Sequence, residues 1–313
     1  MEVDRCLQRS ISEATLVIIT MAVGDFTLEG KIAVVTGGGS GINSSFAKLA
    51  LASKARVLIA DIKLLQDAQN LLRSPETAGK IAYAKCDVCK WDQLERLPSE
   101  VEAAFGQGAV ADVWVAGAGV SEPSLSSFFL DQEDNGYLAM RINAEHPIKL
   151  TRIAMRSLLK ANKPGIVLIV ASGAGATGFY GSPLYCATKH AVVGFTKSMA
   201  QADKDENVKI VSICPGIMSN PLWQGSDAKD VANQYSYSDD MAITAEEVAR
   251  AMKDLIEKGK FTGGSLLEIS KVKGSGLLES SEASIATGPE TQAWVNQCYA
   301  PVREIFKKER RAG

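Results

Sequence analysis

Histidine is scarce in this sequence, since only His146 and His190 occur among its 313 residues. The six cysteines are scattered, and the single C-x-x-C pair, Cys86 and Cys89, has no second pair of ligands with which to complete a zinc site. We therefore expect no metal site. The same cysteines favour the reduced thiols of a cytoplasmic protein over a disulfide framework.

A large excess of charge of one sign is also absent, because 34 Lys and Arg residues face 36 Asp and Glu residues. Binding to a phosphate backbone needs clustered Lys and Arg, so we expect no nucleic-acid partner. The one dense cluster, KKERR at 307–311, is expected to be a solvated tail. No apolar run approaches the length of a membrane helix, so no membrane partner is expected either.

Short apolar runs alternate with segments of helical periodicity along most of the chain. The runs are continuous rather than interleaved with polar residues, which is typical of strands buried on both faces of a parallel sheet. This pattern predicts an α/β fold: a single-domain, Rossmann-type, doubly wound parallel sheet flanked by helices. Its strands are expected at 31–36, 55–61, 80–88, 112–119, 165–172, 208–216 and 265–270.

The nucleotide-binding and catalytic domain is expected to span residues 26–270. Residues 1–25 are interpreted as an N-terminal appendage, in which Met21 offers an alternative start. Residues 217–243 and the C-terminal extension, 271–313, show no clear period and are expected to be irregular.

A glycine-rich turn, TGGGSGIN at 36–43, follows the first apolar run and precedes a helical segment. Gly37 and Gly41 allow the backbone to approach a pyrophosphate, and the helix offers its N-terminal N–H groups. Asp61 ends the next apolar run, where a carboxylate can accept hydrogen bonds from a ribose diol and repel a 2′-phosphate. The cofactor is therefore expected to be NAD, with NADP possible. The alternative is that Asp61 caps the helix that follows.

Tyr185 and Lys189 are four residues apart in YCATK, so a helix would place both side chains on one face. A free tyrosine has a pKa of about 10 and is a poor base at neutral pH. A neighbouring ammonium group lowers that pKa, and the tuned hydroxyl can then exchange a proton with an alcohol or ketone. Ser172, at the end of an apolar run, is expected to hydrogen-bond the same substrate oxygen. The alternative is a chance pair on a surface helix.

The order of these residues closely resembles the short-chain dehydrogenase/reductase family, from about Phe26 to Ser270. The family's T-G-x-x-x-G-x-G motif is met by Thr36, Gly37 and Gly41, and it is broken at the last glycine by Asn43. We expect Asn43 mainly to fill a packing position one step inside the helix. The string SGIN followed by FAKL is similar to a fungal branch of the family that resembles 15-hydroxyprostaglandin dehydrogenases.

The resemblance implies further motif residues around the cofactor. The family's N-N-A-G motif is reduced here to 116–119, without either asparagine, and the threonine that usually follows its Pro-Gly motif is replaced by Asn220. The residues that the family would place against the cofactor are Gly37, Gly41, Ile42, Asp61, Asp87, Val88, Gly119, Asn143, Tyr185, Lys189, Pro215, Gly216 and Ile217.

The resemblance also implies the catalytic roles. Tyr185 is the general acid/base, and Lys189 lowers its pKa and holds the nicotinamide ribose. Ser172 orients the substrate, and Asn143 anchors a proton-relay water. Family members usually form dimers or tetramers, so a homodimer or homotetramer is expected.

These features predict an NAD-dependent oxidoreductase that transfers a hydride between the cofactor and a small-molecule secondary alcohol or ketone. Residues 173–181 and 217–243 carry aromatic side chains that suit a bulky, flat substrate, such as an aromatic polyketide of secondary metabolism. Two alternatives stay open: a cyclase or isomerase that retains the cofactor, and a non-enzymatic dinucleotide-binding module. The aromatic residues in question are Phe179, Tyr180, Trp223, Tyr235 and Tyr237.

Overall fold

The structure is a computed structural model that describes residues 22–121, 128–131, 133–134, 136–218, 242–271, 274–278 and 289–311, with the backbone alone for 289–296. Several residues discussed above lie outside this part of the chain, namely Cys6, Met21, Asn220, Trp223, Tyr235 and Tyr237.

The described residues form one eight-stranded sheet with the strand order β3-β2-β1-β4-β5-β6-β7-β8. The pairs from β3 to β7 are parallel, and β8 runs antiparallel to β7. From β1 the chain adds strands toward one edge of the sheet, and from β4 it adds them toward the other edge. A doubly wound sheet forms its ligand crevice between two such strands, here β1 and β4. The strands are β1 Ile32–Thr36, β2 Arg56–Asp61, β3 Ile81–Lys85, β4 Val113–Ala116, β5 Gly165–Val170, β6 Val208–Pro215, β7 Leu266–Ser270 and β8 Gly274–Leu277.

Helices connect most of these strands. Helix α5 is one continuous helix of three stretches. These are Leu138–Met140, the π-helical stretch Arg141–Glu145, and His146–Lys160. Pro98 lies in the first turn of the helix Leu97–Phe105, where its missing N–H costs no hydrogen bond. The other helices are α1 Gly41–Ala52, α2 Gln66–Arg73, α3 Trp91–Glu95, α4 Leu97–Phe105, α6 Pro183–Ser198, α7 Gln201–Glu206, α8 Ala245–Glu257 and α9 Pro289–Arg311.

Both faces of the sheet are buried under helices. On one face Trp114 of β4 packs in a cluster with Leu158 of α5 and Val192 of α6. On the other face Val115 packs with Phe46 of α1 and Met252 of α8. Adjacent residues of one strand therefore belong to opposite cores, which explains why the strands are continuous apolar runs. The predicted fold class is confirmed.

The C-terminal segment is more ordered than the sequence suggests, so the prediction that 271–313 is irregular is wrong. Strand β8 extends the sheet beyond residue 270, with Ser270 paired to Gly274 and Leu267 to Leu277. Helix α9 then packs against α5, where the Phe306 ring lies 5.7 Å from the Arg152 guanidinium.

The KKERR cluster at 307–311 lies in α9, and two of its residues are anchored rather than solvated. Glu309 pairs with Arg152 of α5. Arg310 pairs with Glu206 of α7 at 2.9 Å. Burial raises the pKa of Glu206, and the Arg310 guanidinium opposes that shift. The expectation of a solvated tail is wrong for these two residues.

Residues near the predicted N-terminal boundary contact the domain. The Val23 N–H donates to Asp203 at 2.7 Å, and Asp25 accepts from the Gly259 N–H at 2.7 Å. The boundary at residue 25 stays a prediction. A search of the described helices finds none with both the length and the apolarity to cross a membrane.

Candidate active site

The sequence-predicted site residues all lie near the carboxyl edge of the parallel strands. The glycine turn follows β1, Asp61 ends β2, and Gly119 follows β4. Ser172 follows β5 and Pro215 ends β6. Because parallel strands end at the same edge of a sheet, these separate stretches of sequence converge on one crevice.

The glycine turn has the conformation that its residues predict. Gly37 and Gly41 have positive φ angles of 68° and 56°, which glycine adopts without steric cost. A side chain on Gly37 would also overlap the Ala118 backbone, because its Cβ would lie 2.6 Å from the Ala118 Cα. At Gly41 an added Cβ would meet no atom within 4 Å, so the start of α1 faces open space.

The N-terminus of α1 is free to hold an anion. Its N-cap residue, Ser40, makes no side-chain capping bond, and its first turn carries no acidic residue. The side chain of Ile42 packs against the core, so its backbone N–H is the group it can offer to a ligand. The open turn and the uncapped helix fit a pyrophosphate.

Asp61 supports the turn from the neighbouring strand. One carboxylate oxygen accepts the Gly39 N–H at 2.8 Å, and the other accepts the Lys63 N–H at 3.2 Å. Helix α2 starts at Gln66 with Leu65 as its N-cap, so the alternative that Asp61 caps this helix is wrong. The half-buried carboxylate lies beside the turn, as ribose recognition requires.

The Asp87-Val88 pair lies in the turn after β3. Asp87 accepts the Cys89 N–H at 3.0 Å, and Val88 is buried.

Burial raises the pKa of the Cys86 thiol to about 12, and it also raises the pKa of the Cys89 thiol. Within the described ranges, no three His, Cys, Asp or Glu side chains cluster as metal ligands.

Asn43 does more than fill space, so the expectation that it mainly permits packing is wrong. Its Nδ2 donates to the carbonyl of Gly117 at 2.9 Å and to the carbonyl of Gly37 at 3.3 Å. Asn43 is 7% exposed. The residue therefore joins the turn after β1 to the segment after β4.

A second link across this crevice, between Thr36 and His146, was not predicted from the sequence. The Thr36 hydroxyl accepts the Gly117 N–H at 3.0 Å and lies 3.0 Å from His146 Nε2. His146 Nδ1 faces the carbonyl of Ile142 at 3.1 Å, so Nδ1 carries the proton and Nε2 can accept one. Complete burial lowers the pKa of His146 to about 4. His146 is therefore neutral at pH 7 and acts as a structural link.

Asn143 lies in the π-helical stretch of α5, a geometry that is frequent at functional sites. Its amide exchanges two hydrogen bonds with the Val120 backbone, accepting at 2.9 Å and donating at 2.8 Å. It also donates to the Thr188 hydroxyl at 3.3 Å, which itself donates to the carbonyl of Tyr185. Asn143 thus ties the segment after β4 to α6.

Helix α6 places Tyr185 and Lys189 on one face, as their spacing predicts. The Lys189 ammonium lies over the Tyr185 ring, 5.5 Å from its centroid. It also donates to the carbonyl of Val170 at 2.9 Å. Burial lowers the pKa of Lys189 from 10.5 to about 8, so the ammonium is still the main form at neutral pH.

Gly119 lies where these groups converge. A Cβ added there would lie 3.4 Å from Asn143 Oδ1 and 3.9 Å from Lys189 Nζ. The backbone at Gly119 therefore leaves room beside both polar groups, which a side chain would reduce.

Ser172 begins a short 3₁₀ turn, in which its hydroxyl accepts the Ala174 N–H at 3.2 Å. Gly175 in this turn packs directly on α6, because an added Cβ would lie 2.8 Å from the carbonyl of Lys189. The Ser172 hydroxyl is also 3.5 Å from the carbonyl of Pro215. The turn thus holds Ser172 against both α6 and the end of β6.

The Pro-Gly stretch after β6 is fixed by its neighbours. The Gly216 N–H donates to the carbonyl of Ile269 at 2.8 Å, and a Cβ added to Gly216 would lie 2.9 Å from the Ser270 Cβ. The carbonyl of Ile217 accepts the Ile243 N–H at 3.0 Å. These contacts hold the Pro-Gly stretch against the end of β7 and against Ile243.

A model of the short chain dehydrogenase family matches residues 31–230 of the chain. The 15-hydroxyprostaglandin dehydrogenase [NAD(+)] of Mus musculus is 28% identical over 262 residues, which are 79% of this chain and 92% of the relative. The 2,5-dichloro-2,5-cyclohexadiene-1,4-diol dehydrogenase of Sphingobium indicum is 30% identical over 201 residues, 63% of this chain and 76% of the relative. The short chain dehydrogenase/reductase dpchG of Colletotrichum higginsianum is 29% identical over 194 residues, 61% and 70% of the two chains.

The chain therefore belongs to the short chain dehydrogenase family, and it is an oxidoreductase. Its relatives support a nicotinamide cofactor.

Proposed function

We propose that the protein is an NAD-dependent dehydrogenase that oxidises a secondary alcohol, or reduces the matching ketone, on a bulky aromatic substrate. The observation that carries the proposal is the Lys189 ammonium over the Tyr185 ring, beside Asn143 and Gly119. This geometry supports a proton-exchanging role for the Tyr185 hydroxyl, because a buried positive charge lies beside its ring at the same edge of the sheet as the glycine turn.

The protein's own residues would transfer the proton and orient the substrate. When bound, the nicotinamide supplies the hydride acceptor or donor. Tyr185 takes the proton of the substrate hydroxyl during oxidation, and the Lys189 ammonium stabilises the phenolate. Ser172 holds the substrate oxygen next to Tyr185. Asn143 fixes the segment at Val120 and the start of α6.

NAD is proposed over NADP because of the Asp61 carboxylate. A 2′-phosphate would meet this negative charge, whereas a ribose diol can donate to it. No Lys or Arg lies within 37–43 to compensate. The exposed Lys63, two residues beyond Asp61, is the feature that favours NADP as the second candidate.

Removing the charge of Asp61 should narrow the preference for NAD. Asp61→Asn keeps an oxygen for the Gly39 N–H but drops the carboxylate, so the ratio of NADP to NAD dissociation constants should fall roughly 10- to 100-fold. Asp61→Ala is the matched comparison: it also frees the Gly39 N–H, so NAD itself should bind more weakly. Titration of the cofactors into purified protein measures both. Tighter NADP than NAD binding by the unmutated protein would overturn the assignment.

The proposed substrate class rests on exposed aromatic side chains after the adjacent strands β4 and β5. The rings of Phe129 and Tyr180 lie 5.3 Å apart, edge to face, and Phe128 lies 5.5 Å from Phe129. Tyr180 is 85% exposed and Phe129 is 52% exposed. Large apolar side chains brought together in solvent favour a flat apolar ligand, and an aromatic polyketide of secondary metabolism has this chemistry.

The test is a panel of aromatic and short aliphatic secondary alcohols, assayed with NAD by the absorbance of the reduced cofactor. Phe129→Ala and Tyr180→Ala should each raise KM for aromatic alcohols by about 3- to 10-fold, the scale of one aromatic contact. The KM of aliphatic alcohols should change little. Tyr299→Ala, in α9, is the matched control for loss of a partly exposed ring. Equal effects on both alcohol classes would reject the substrate assignment.

We also propose a cytoplasmic homodimer or homotetramer. The five cysteines among the described residues are free thiols, which supports a reducing compartment. The proposed oligomer is supported by family membership, because members of the family usually form dimers or tetramers.

A further inference from the structure

Two departures from the family's sequence pattern lie directly against each other. Position 43 carries asparagine where the pattern has glycine, and position 117 carries glycine where the pattern has asparagine. A Cβ added to Gly117 would lie 2.3 Å from Asn43 Oδ1 and 2.5 Å from its Cγ. Real Cβ atoms do not approach other atoms so closely, so a side chain at 117 cannot coexist with Asn43 as it is placed.

The Asn43 amide is also bonded at this contact. Its Nδ2 donates to the carbonyls of Gly117 and Gly37, at 2.9 and 3.3 Å. The N–H of Gly117 is held by the Thr36 hydroxyl at 3.0 Å. Gly117 is therefore fixed at both its N–H and its carbonyl by residues of the turn after β1.

This contact lies at the point where the strand order reverses, between β1 and β4. Gly37 and Ala118 also touch there, so the cofactor turn and the segment after β4 are packed backbone to backbone. Gly119, two residues beyond Gly117, lies beside Asn143 and Lys189. A shift at Gly117 would therefore move both the cofactor turn and the proton-transfer residues.

We propose that Asn43 is a positioning residue that replaces, from α1, the side chain missing at position 117. Asn43 and Gly117 are then one coupled exchange rather than two independent losses. The proposal rests on the proposed cofactor site, because the turn that Asn43 holds is the one assigned to the pyrophosphate.

The experiment is a double-mutant cycle of Asn43→Gly, Gly117→Asn and the double variant, read by two measurements. The first is the thermal midpoint of the cofactor-free protein, and the second is the NAD dissociation constant. Asn43→Gly leaves two carbonyls without a donor, so the midpoint should fall by about 3–6 °C and NAD should bind about 10-fold more weakly. Gly117→Asn alone should lower the thermal midpoint further and weaken NAD binding further, because of the steric overlap. The double variant should return to within about 3 °C and about 3-fold of the unmutated protein.

Four further variants complete the test. Gly117→Ala, alone and combined with Asn43→Gly, repeats the cycle with a smaller side chain in case Gly117→Asn does not fold. Asn43→Asp keeps the volume but loses the donor, so its thermal midpoint at pH 7 should fall at least as far as that of Asn43→Gly. Gly194→Asn, on α6 where an added Cβ meets nothing within 4 Å, controls for the glycine-to-asparagine change itself.

Additive losses in the cycle, or an unchanged Asn43→Gly protein, would overturn the proposal. An Asn43→Asp protein as stable as the unmutated one would reduce Asn43 to packing and also overturn it. If the unmutated protein binds neither NAD nor NADP, only the cofactor proposal is rejected. The thermal midpoints of the four proteins in the cycle still show whether positions 43 and 117 are coupled.

Discussion

Replacing Tyr185 by phenylalanine should lower turnover with NAD and an aromatic secondary alcohol by roughly 10²- to 10⁴-fold, the usual contribution of general acid/base catalysis. The variant loses one hydroxyl and keeps the ring over which the Lys189 ammonium lies. Asn143 and Thr188 hold this part of α6 through the backbone carbonyl of Tyr185, so the helix should stay in place. Steady-state rates measured by the absorbance of the reduced cofactor test this.

The NAD dissociation constant of the Tyr185→Phe variant should stay within a few-fold of the unmutated value, since the pyrophosphate and ribose contacts are proposed mainly for Gly37, Gly41, Asp61 and Lys189. Tyr299→Phe in α9 removes a tyrosine hydroxyl elsewhere and should leave turnover unchanged. Full activity in Tyr185→Phe would reject acid/base catalysis by Tyr185 and favour a binding module or an isomerase. Parallel loss of NAD binding and turnover would instead indicate a structural role.

The positions in the fold of the proposed cofactor residues could be predicted because they depend on local spacing. A glycine turn between a strand and a helix, and an acidic residue at the end of the next strand, need only the 3.6 and 2 residue periods to be placed. Gly37, Gly41 and Asp61 therefore lie where the sequence indicates. The same holds for Tyr185 and Lys189, since four residues on a helix fix their shared face.

The links between the two halves could not be predicted, because each joins residues far apart in the chain. Asn43 and Gly117 are 74 residues apart, and Thr36 and His146 are 110 residues apart. Read singly, Asn43 and Gly117 each look like a lost motif residue. Only the structure shows that these two residues are in contact, so the two departures need not be two independent losses.

The C-terminal elements were missed for a different reason. Strand β8 has the sequence GSGL, in which two glycines remove the usual strand signal. Helix α9 contains Pro301, and an internal proline argues against a helix from sequence alone. Its anchors, such as Arg310 with Glu206, are ion pairs to a distant helix, and no periodic pattern reveals them.

Replacing Lys189 by methionine should abolish turnover and, at the same time, stabilise the cofactor-free protein at pH 7. Lys189 is 4% exposed, and burial lowers its pKa from 10.5 to about 8. By linkage, carrying this buried charge costs about 3 kcal/mol of unfolding free energy below pH 8. Methionine removes that cost but leaves the carbonyl of Val170 without its donor, a loss of about 1–3 kcal/mol. We expect a net gain of about 1 kcal/mol, or about 2–4 °C in the thermal midpoint.

The pH dependence follows from the same pKa. Between pH 8 and 10.5 the unfolded chain holds the Lys189 proton and the folded chain does not, so the stability of the unmutated protein rises with pH. The advantage of Lys189→Met should therefore be complete below pH 8 and shrink steadily toward pH 10.5. Thermal midpoints of both proteins across this window measure the difference.

Lys209 of β6 provides the matched control for Lys189→Met. It is fully buried, its Nζ donates to the carbonyl of Ile256 at 3.0 Å, and burial lowers its pKa as well. Lys209→Met should change stability in the same direction and leave turnover intact, because Lys209 lies at the amino end of β6 and the site lies at the carboxyl ends of the strands. Lys189→Met should also bind NAD about 10-fold more weakly, the scale of one charged hydrogen bond to the nicotinamide ribose. Turnover retained in Lys189→Met, or lost equally in Lys209→Met, would remove Lys189 from the proton-transfer machinery.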